Sequence, residues 1–225
     1  MKVLEVEGLT FSFQRGEEPI LSDVSFSIKK GEIVGVLGQS GSGKSTLLRL
    51  ISGLEIPWGG SISVAGKPVV NQRLFVQPEK RGIGMVFQDY ALFPHMNVRD
   101  NILFGLNKMS RAERKNRLNE MLELVQMTDF AKRFPHELSG GQQQRIALAR
   151  ALAPKPEVLL MDEPFSNLDA DLKASIRSEL RSILKAAGMT CMMVTHDRKD
   201  VDAICDRSFS LSEDSAARKV HMQSL

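Results

Sequence analysis

The sequence is poor in cysteine, nearly balanced in charge and free of long apolar runs, and each shortage closes off a class of protein. Cysteine occurs only as Cys191 and Cys205, neither in a CxxC pair, so a thiolate metal site has no ligand spacing to build on. Cys191 sits in the apolar stretch 189–194 and reads as a small buried hydrophobe. So few cysteines fit a reducing, cytoplasmic setting. Against 30 basic side chains stand 27 acidic ones, a formal net charge of +3, which gives little reason to expect a nucleic-acid-wrapping surface. No apolar run approaches the ~20 residues that a bilayer span requires. Leu4 and Val6 already alternate with polar residues, and no basic segment precedes an apolar one, so a cleaved leader is not expected. Any membrane role is therefore expected to come through a partner. Repeats and low-complexity tracts are also missing. An apolar fraction of 42% with 25% charged residues is ordinary for a globular chain and argues against disorder. A length of 225 residues suffices for one sizeable core or two small lobes sharing one.

What is present is two patterns. Leu9, Phe11 and Phe13 alternate with Thr10 and Ser12, and Val24, Phe26 and Ile28 alternate with Ser25 and Ser27. Period two predicts half-buried antiparallel strands. Residues 61–70 continue the style, with a turn signalled by Gly66-Lys67-Pro68. The character changes at Ile33-Val34-Gly35-Val36-Leu37, a continuous apolar run. Val158-Leu159-Leu160-Met161 and residues 189–194 repeat it, as strands of a parallel sheet buried on both faces would. Helical patterns separate these runs, which is α/β grammar.

Residues 90–155 are mostly helical in pattern. Ser110-x-x-Glu113 is a capping-box signal, and Leu118, Met121, Leu122 and Val125 follow at helical spacing. The basic cluster 111–117 reads as a solvated face rather than a nucleic-acid patch, because Glu113 and Glu120 interrupt it. Pro154 and Pro156 close the block. Leu172, Ile176, Leu180 and Leu184 mark another amphipathic helix, with Gly188 as its cap.

Gly38-Gln39-Ser40-Gly41-Ser42-Gly43-Lys44-Ser45 matches G-x-x-x-x-G-K-[ST] between a buried strand and a helical pattern, the context that motif needs. Its glycines let several N–H groups point at phosphate oxygens, and the next helix offers its positive end to the same anion. Lys44 would reach the β- and γ-phosphates and the Ser45 hydroxyl would bind Mg²⁺. A Gly/Ser-rich turn is the plain alternative, and the flanking strand and helix count against it. The strand of residues 158–161 ends in Asp162 and Glu163. Paired carboxylates at the end of a doubly buried strand suggest a cation to meet: Asp162 suits a Mg²⁺ shell and Glu163 could polarise an attacking water. The alternative, a strand ending in a solvated turn, is favoured by Pro164.

Leu138-Ser139-Gly140-Gly141-Gln142 combines a capping box, Ser139 with Gln142, with two glycines that weaken a first helical turn. Close approach of something to the backbone would explain them. This pentapeptide resembles the signature of ABC ATPases, and the other motifs of that family follow in family order. Residues 38–45 resemble Walker A, and residues 158–163 resemble Walker B with Glu163 as catalytic glutamate. Gln88 after Met85-Val86-Phe87 matches the Q-loop, Ser166-Asn167-Leu168-Asp169 the D-loop, and His196 after Val194-Thr195 the switch histidine. Phe13 falls where the family places an aromatic on adenine. The similarity spans roughly residues 3–207. Taken singly, His196 reads as a structural hydrogen-bonder, Gln88 as a solvated residue and Phe13 as plain core beside Phe11; only the ensemble assigns them.

The resemblance implies a P-loop NTPase (RecA-like) α/β core with an N-terminal antiparallel β subdomain and an inserted α-helical subdomain. Its expected layout is one domain over 1–225: core and β subdomain in 1–88 and 156–211, helical subdomain with signature in 89–155, polar tail in 212–225. It implies an ATPase using ATP and Mg²⁺. The catalytic residues would be Glu163, His196 and Lys44. The nucleotide would be held by Phe13, Gly38, Ser40, Gly41, Gly43, Lys44, Ser45, Thr46, Gln88 and Asp162, with Asp169, Ser139, Gly140, Gly141 and Gln142 completing the site. Mg²⁺ would fall to Ser45, Gln88 and Asp162. In the family two copies pack head to tail, so the signature of one completes the γ-phosphate cage of the other.

The aromatic segment 89–96 would dock a short helix of a membrane permease, or else tuck onto the helical lobe. Position at the cytoplasmic face of the inner (plasma) membrane and an indirect link to a solute-binding protein follow; no nucleic acid is expected. Residues 78–95 look like importer ATPases for ferric iron, and less specifically for sulfate, molybdate, polyamines or sugars. Many such relatives carry a C-terminal regulatory domain beyond the ATPase core. With the sequence ending at Leu225, regulation through such a domain is not expected. The polar tail is expected to be loosely held, and residues 197–200 are more basic than is usual there. Two rival classes are a soluble P-loop kinase, which would lack the signature, and a non-transport ABC ATPase acting on DNA or ribosomes.

Overall fold

The computed structural model describes residues 1–14, 18–168, 170–211 and 220–223. The chain opens with β1 (Lys2–Phe11) and β2 (Leu21–Lys29), then β3 (Ile33–Leu37) and α1 (Lys44–Ser52). Short strands β4 (Gly59–Val64), β5 (Lys67–Asn71) and β6 (Leu74–Phe75) follow, and β7 (Ile83–Val86) returns to the core. The helical lobe holds α2 (Val98–Leu103), α3 (Arg111–Leu124) and α4 (Gly140–Leu152). The chain then runs through β8 (Val158–Asp162), α5 (Ala170–Ala186), β9 (Cys191–Thr195), α6 (Arg198–Ile204), β10 (Arg207–Leu211) and β11 (Val220–Gln223).

Two sheets result. The first is antiparallel, in the order β2-β1-β4-β5-β6. The second has the order β11-β10-β3-β9-β8-β7 and is parallel except for β11. This is the α/β arrangement that the apolar runs predict. Most of the tail 212–225 lies outside the described residues, but Val220–Gln223 pair with β10 as an edge strand, which a reading as loose polar tail does not anticipate.

The parallel strands are buried on both faces, and alternate residues enter opposite cores. Val158 and Leu160 join the core shared with the β subdomain and α1, whereas Leu159 and Met161 join the core shared with the helical lobe. The same split separates Met192 and Val194 from Cys191 and Met193. A two-residue repeat with both faces covered produces this sorting, and each fully buried Leu, Val or Met contributes roughly 1.5–3 kcal/mol. Both cysteines are free and buried. Burial pushes the Cys191 thiol well up and the Cys205 thiol to about 12, which makes them inert packing residues.

Local signals place the helices. Ser110 accepts from the Glu113 N–H at 3.3 Å, and the Glu113 carboxylate accepts from the Ser110 N–H at 2.8 Å, a complete capping box. Leu118, Met121, Leu122 and Val125 are all buried. The basic run ahead of them is not wholly solvated: Arg117 donates from Nε to the Ala153 carbonyl at 2.9 Å and from Nη2 to the Leu152 carbonyl at 2.6 Å. It thereby adds a donor at the end of α4, where the Leu152 carbonyl otherwise accepts only from the Lys155 N–H at 3.0 Å.

The far end of α1 is capped from the β subdomain side. Arg81 is 2% exposed and donates from Nη1 to the carbonyls of Leu50 and Ile51, each at 2.9 Å, and from Nε to that of Val76 at 2.7 Å. Burial lowers its pKa to about 10. Its guanidinium stands over the Phe75 ring at 4.7 Å. Replacing Arg81 with Met should take the donor from the Ile51 and Val76 carbonyls, leave the Leu50 carbonyl with only the Gly53 N–H at 3.3 Å, and cost roughly 2–3 kcal/mol. A thermal melt should then show Tm lowered by about 5–10 °C.

Candidate functional site

Four neighbouring parallel strands deliver the sequence-predicted residues to one edge. β3, β9, β8 and β7 are adjacent in that order, and their carboxyl ends lead respectively into the loop 38–45, His196, Asp162-Glu163 and Gln88. In α/β sheets ligands bind outside the carboxyl ends of the strands. An open cleft of about 390 Å³ lies there, lined by Ser40, Gly41, Gly43, Lys44, Ser45 and Thr46 on one side and by Gln88 and Glu163 on the other, with Phe13 and Ile20 completing it.

The loop is shaped for an anion. Gly43 takes φ 89° as the N-cap of α1, a left-handed conformation that a side chain would strain, and a Cβ there would come within 3.0 Å of Ile20 Cγ2. No side chain caps α1 and its first turn carries no acid, so its leading N–H groups are left to a ligand. Lys44 is 5% exposed, and its ammonium donates to the carbonyls of Gly38 and Gln39, each at 2.8 Å. Burial lowers the Lys44 pKa, while Glu163 and Asp162 raise it. The buried Ser42 hydroxyl has no hydrogen-bond partner among the described residues.

Ser45 donates its hydroxyl to Asp162 Oδ1 at 2.9 Å. Burial pushes the Asp162 carboxyl up, the Ser45 hydroxyl opposes this, Glu163 reinforces it, and Lys44 and Arg49 pull it back. A divalent cation held by Asp162 would offset that unfavourable burial. Glu163 itself turns sharply, at φ 42°. Its N–H donates to the Val194 carbonyl at 3.0 Å, and its own carbonyl accepts from the Ser166 hydroxyl at 2.9 Å. The side chain meets His196, with Nδ1 2.8 Å from Glu163 Oε2. The hydroxyl–carboxylate pair, the buried lysine and the uncapped helix suit a triphosphate with Mg²⁺.

Phe13 lies just beyond β1 rather than within it. It is 60% exposed and meets Phe11 edge-on with ring centroids 5.1 Å apart. An exposed ring on the cleft rim is free to stack on a base, which a ring in the core is not. Gln88 is exposed, and its carbonyl accepts from Asn167 Nδ2 at 2.9 Å. Asp169 lies outside the described residues. Ser139 caps α4 and pairs with Gln142 as a capping box, at 3.4 and 2.9 Å. The glycine pair has an internal reason: a Cβ would come within 3.2 Å of Leu168 at Gly140 and within 2.9 Å of Ile176 at Gly141. Ser139, Gly140, Gly141 and Gln142 do not line the cleft.

Sequence reasoning missed the supports of His196. Thr195 donates its hydroxyl to Asp200 at 2.7 Å, and Arg177 donates from Nε to Asp200 at 2.7 Å and from Nη2 to Asp197 at 2.9 Å. Both neighbours of His196 are thus fixed. The pairing also accounts for the acids in the otherwise basic stretch 197–200, while the Arg198 side chain is 63% exposed. No local pattern announces Arg177, because it lies 20 and 23 residues from its partners.

A phosphate-binding P-loop feeding a six-stranded α/β sheet, with a helical insert carrying a separate signature, defines a nucleotide-binding cassette. The ABC transporter family model matches residues 21–166, and the chain belongs to that family. It is 49% identical to the putrescine transport ATP-binding protein PotG of Escherichia coli (strain K12), over 91% of this chain and 53% of that one. Against the Fe(3+) ions import ATP-binding protein FbpC of Pasteurella multocida (strain Pm70), identity is 42% over 99% of this chain and 62% of that one. The chain spans 53% to 66% of the length of the curated relatives it matches. Among solved structures it is similar to cbiO1 of Clostridium perfringens, part of the transporter complex cbiONQ, with TM-score 0.85, 30% identity and coverage of 99% and 88%. A dimeric ATP-binding cassette in a post-hydrolysis state with ADP and Pi gives TM-score 0.81 at 33% identity, over 99% of this chain and 98% of that one.

Proposed function

We propose that this chain binds and hydrolyses ATP with Mg²⁺ and powers solute import by closing head to tail on a second copy of itself beneath a membrane permease. The observation that carries this is the convergence of Lys44, Ser45, Asp162 and the Glu163–His196 pair on one cleft, while the signature stands outside it. A site divided in this way is completed by a partner's signature. ATP would bind the closed pair better than the open one, which is the requirement for a ligand-driven switch.

Catalysis is positioning and charge stabilisation. Phe13 stacks on the base. The N–H groups of Gly41 and Gly43 and the start of α1 receive phosphate oxygens, along with Ser40 and Thr46. Lys44 leaves the Gly38 and Gln39 carbonyls to follow the β- and γ-phosphates. Ser45, Asp162 and Gln88 would hold Mg²⁺, which would supply charge neutralisation for the bound nucleotide. Glu163 orients the water and accepts its proton, and His196 holds the glutamate and the γ-phosphate. Asp169, Ser139, Gly140, Gly141 and Gln142 act across the dimer.

No helix among the described residues is long and apolar enough to cross a membrane, which suits attachment through a permease. Segment 89–96 is the docking surface, extended by Phe104, which is 54% exposed and lies 4.3 Å from the Phe93 ring. Relatives named for putrescine, Fe(3+) and sulfate or thiosulfate match at 49%, 42% and 48% identity. Ferric iron is therefore one candidate solute among several, with selection made by other subunits. The reading is tested by size-exclusion chromatography of Glu163→Gln with and without Mg-ATP. A shift from monomer to dimer with ATP, lost in Glu163→Gln/Ser139→Arg, is the expected result; a monomer under both conditions despite bound ATP rejects self-driven closure.

A further inference from the structure

Residues 88–96 cross from β7 to the helical lobe with no regular structure, and the side chains of three residues outside the segment, two of them distant in sequence, hold their backbone. Asn167 takes the Gln88 carbonyl at one end. At the other, Asn101 of α2 accepts from the Phe93 N–H at 3.0 Å and donates to the Phe93 and Met96 carbonyls at 3.2 and 3.0 Å. Between them stands Arg150, in the last turn of α4. It donates from Nη1 to the Ala91 carbonyl at 2.6 Å and from Nη2 to the Tyr90 carbonyl at 2.9 Å, and its guanidinium lies over the Phe93 ring at 5.3 Å.

The two residues it grips are strained. Tyr90 has φ 61° and Ala91 φ 45°. Left-handed backbone crowds a Cβ against the carbonyl oxygen, and it persists outside glycine only where surroundings over-determine it. A planar fork can bond two successive carbonyls at once, which the ammonium of lysine cannot do with the same geometry. The other end of α4, about 16 Å from Arg150 along a rigid helix, carries Ser139.

We propose that Arg150 is a positioning residue, whose forked contact with the Tyr90 and Ala91 carbonyls holds the segment after Gln88 in its left-handed form and so ties the nucleotide cleft to the signature helix. The kinetic part of this inference rests on the proposed function.

The test compares the wild-type chain, Arg150→Met, Arg150→Lys and Arg150→Met/Ala91→Gly by ATP turnover and by amide hydrogen exchange. Arg150→Met should lower kcat about tenfold with KM for ATP within about twofold, and amides of 88–96 should exchange faster while those of α4 keep their protection. Glycine adopts positive φ without steric cost, so Ala91→Gly should return kcat to within about threefold of wild type, which a merely stabilising Arg150 would not permit. Arg150→Lys should fall between, and it carries the test if the Met variant does not fold. Wild-type turnover in Arg150→Met, a loss that Ala91→Gly leaves untouched, or unchanged exchange at 88–96 overturns the proposal. A wild-type chain that fails to hydrolyse ATP refutes the proposed function instead, and the exchange comparison still decides the role of Arg150.

Discussion

Glu163→Gln should lower ATP turnover by about three orders of magnitude and leave ATP affinity within about twofold, measured as kcat and as Kd for Mg-ATP. The side chain stands at the cleft with Oε2 2.8 Å from His196 Nδ1, and it is 18% exposed against 60% for the histidine. A positioned general base contributes roughly 10²–10⁴ in rate. Glutamine keeps the length and the contact with His196 but cannot accept a proton from water. Under the proposed function, ground-state binding would rest instead on the loop, Lys44 and Phe13, which the substitution does not touch. A drop in kcat without a change in Kd is the signature of an interaction made in the transition state alone. Equal losses in both would mean that Glu163 serves to bind nucleotide, and the assignment of base would pass elsewhere. Because φ at Glu163 is 42°, glycine at this position would relax the backbone as well as remove the carboxylate, so glutamine is the cleaner probe.

The parts of this arrangement that were legible in the sequence are those written in local spacing. Three apolar runs announced β3, β8 and β9 because a strand covered on both faces needs no polar alternation. The loop 38–45 and the acids 162–163 were legible because each directly follows such a run. The capping boxes at Ser110 and Ser139 were legible at three-residue spacing. What escaped depends on partners far along the chain. Arg150 meets backbone carbonyls 59 and 60 residues away, and a carbonyl has no sequence signature. Arg177 escapes for the same reason; Asn101 is near its partners, five and eight residues away, but two of them are again carbonyls; and Arg117 resembles one more charge of a solvated run although it closes α4. Alternation also overran its element: it continued through Phe13, yet β1 ends at Phe11. In sequence, the glycines at 140 and 141 suggest close approach of something from outside. Packing of Leu168 and Ile176 against them accounts for small residues there without any ligand, and the two explanations make different demands on the surface that Ser139 presents.

Mixing two inactive variants should restore activity if the signature works across a dimer. Lys44→Met removes the ammonium proposed to follow the phosphates, and charge-assisted contacts of this kind contribute about 1.5–3 kcal/mol each. Turnover should fall at least a hundredfold. The apo protein should melt within a few degrees of wild type, because the same lysine is 5% exposed and relief from burying its charge offsets the two carbonyl contacts it loses. Ser139→Arg places a bulky cation at an exposed helix start, outside the cleft of its own chain. Its own ATP binding should survive while turnover collapses. In a two-fold symmetric pair each contact occurs twice with the roles exchanged, so a mixed dimer gathers both defects in one site and leaves the other intact. Random pairing of equal amounts makes half the dimers mixed, each with one working site of two, and predicts about a quarter of wild-type turnover. No recovery on mixing, with exchange of subunits verified by a tagged partner, would confine catalysis to single chains or require both sites to fire together. The converse mixture separates the two cases: the double variant Lys44→Met/Ser139→Arg, mixed in equal amount with wild type, should leave only unmixed wild-type dimers active, about a quarter of wild-type turnover, whereas about half would argue against a shared site.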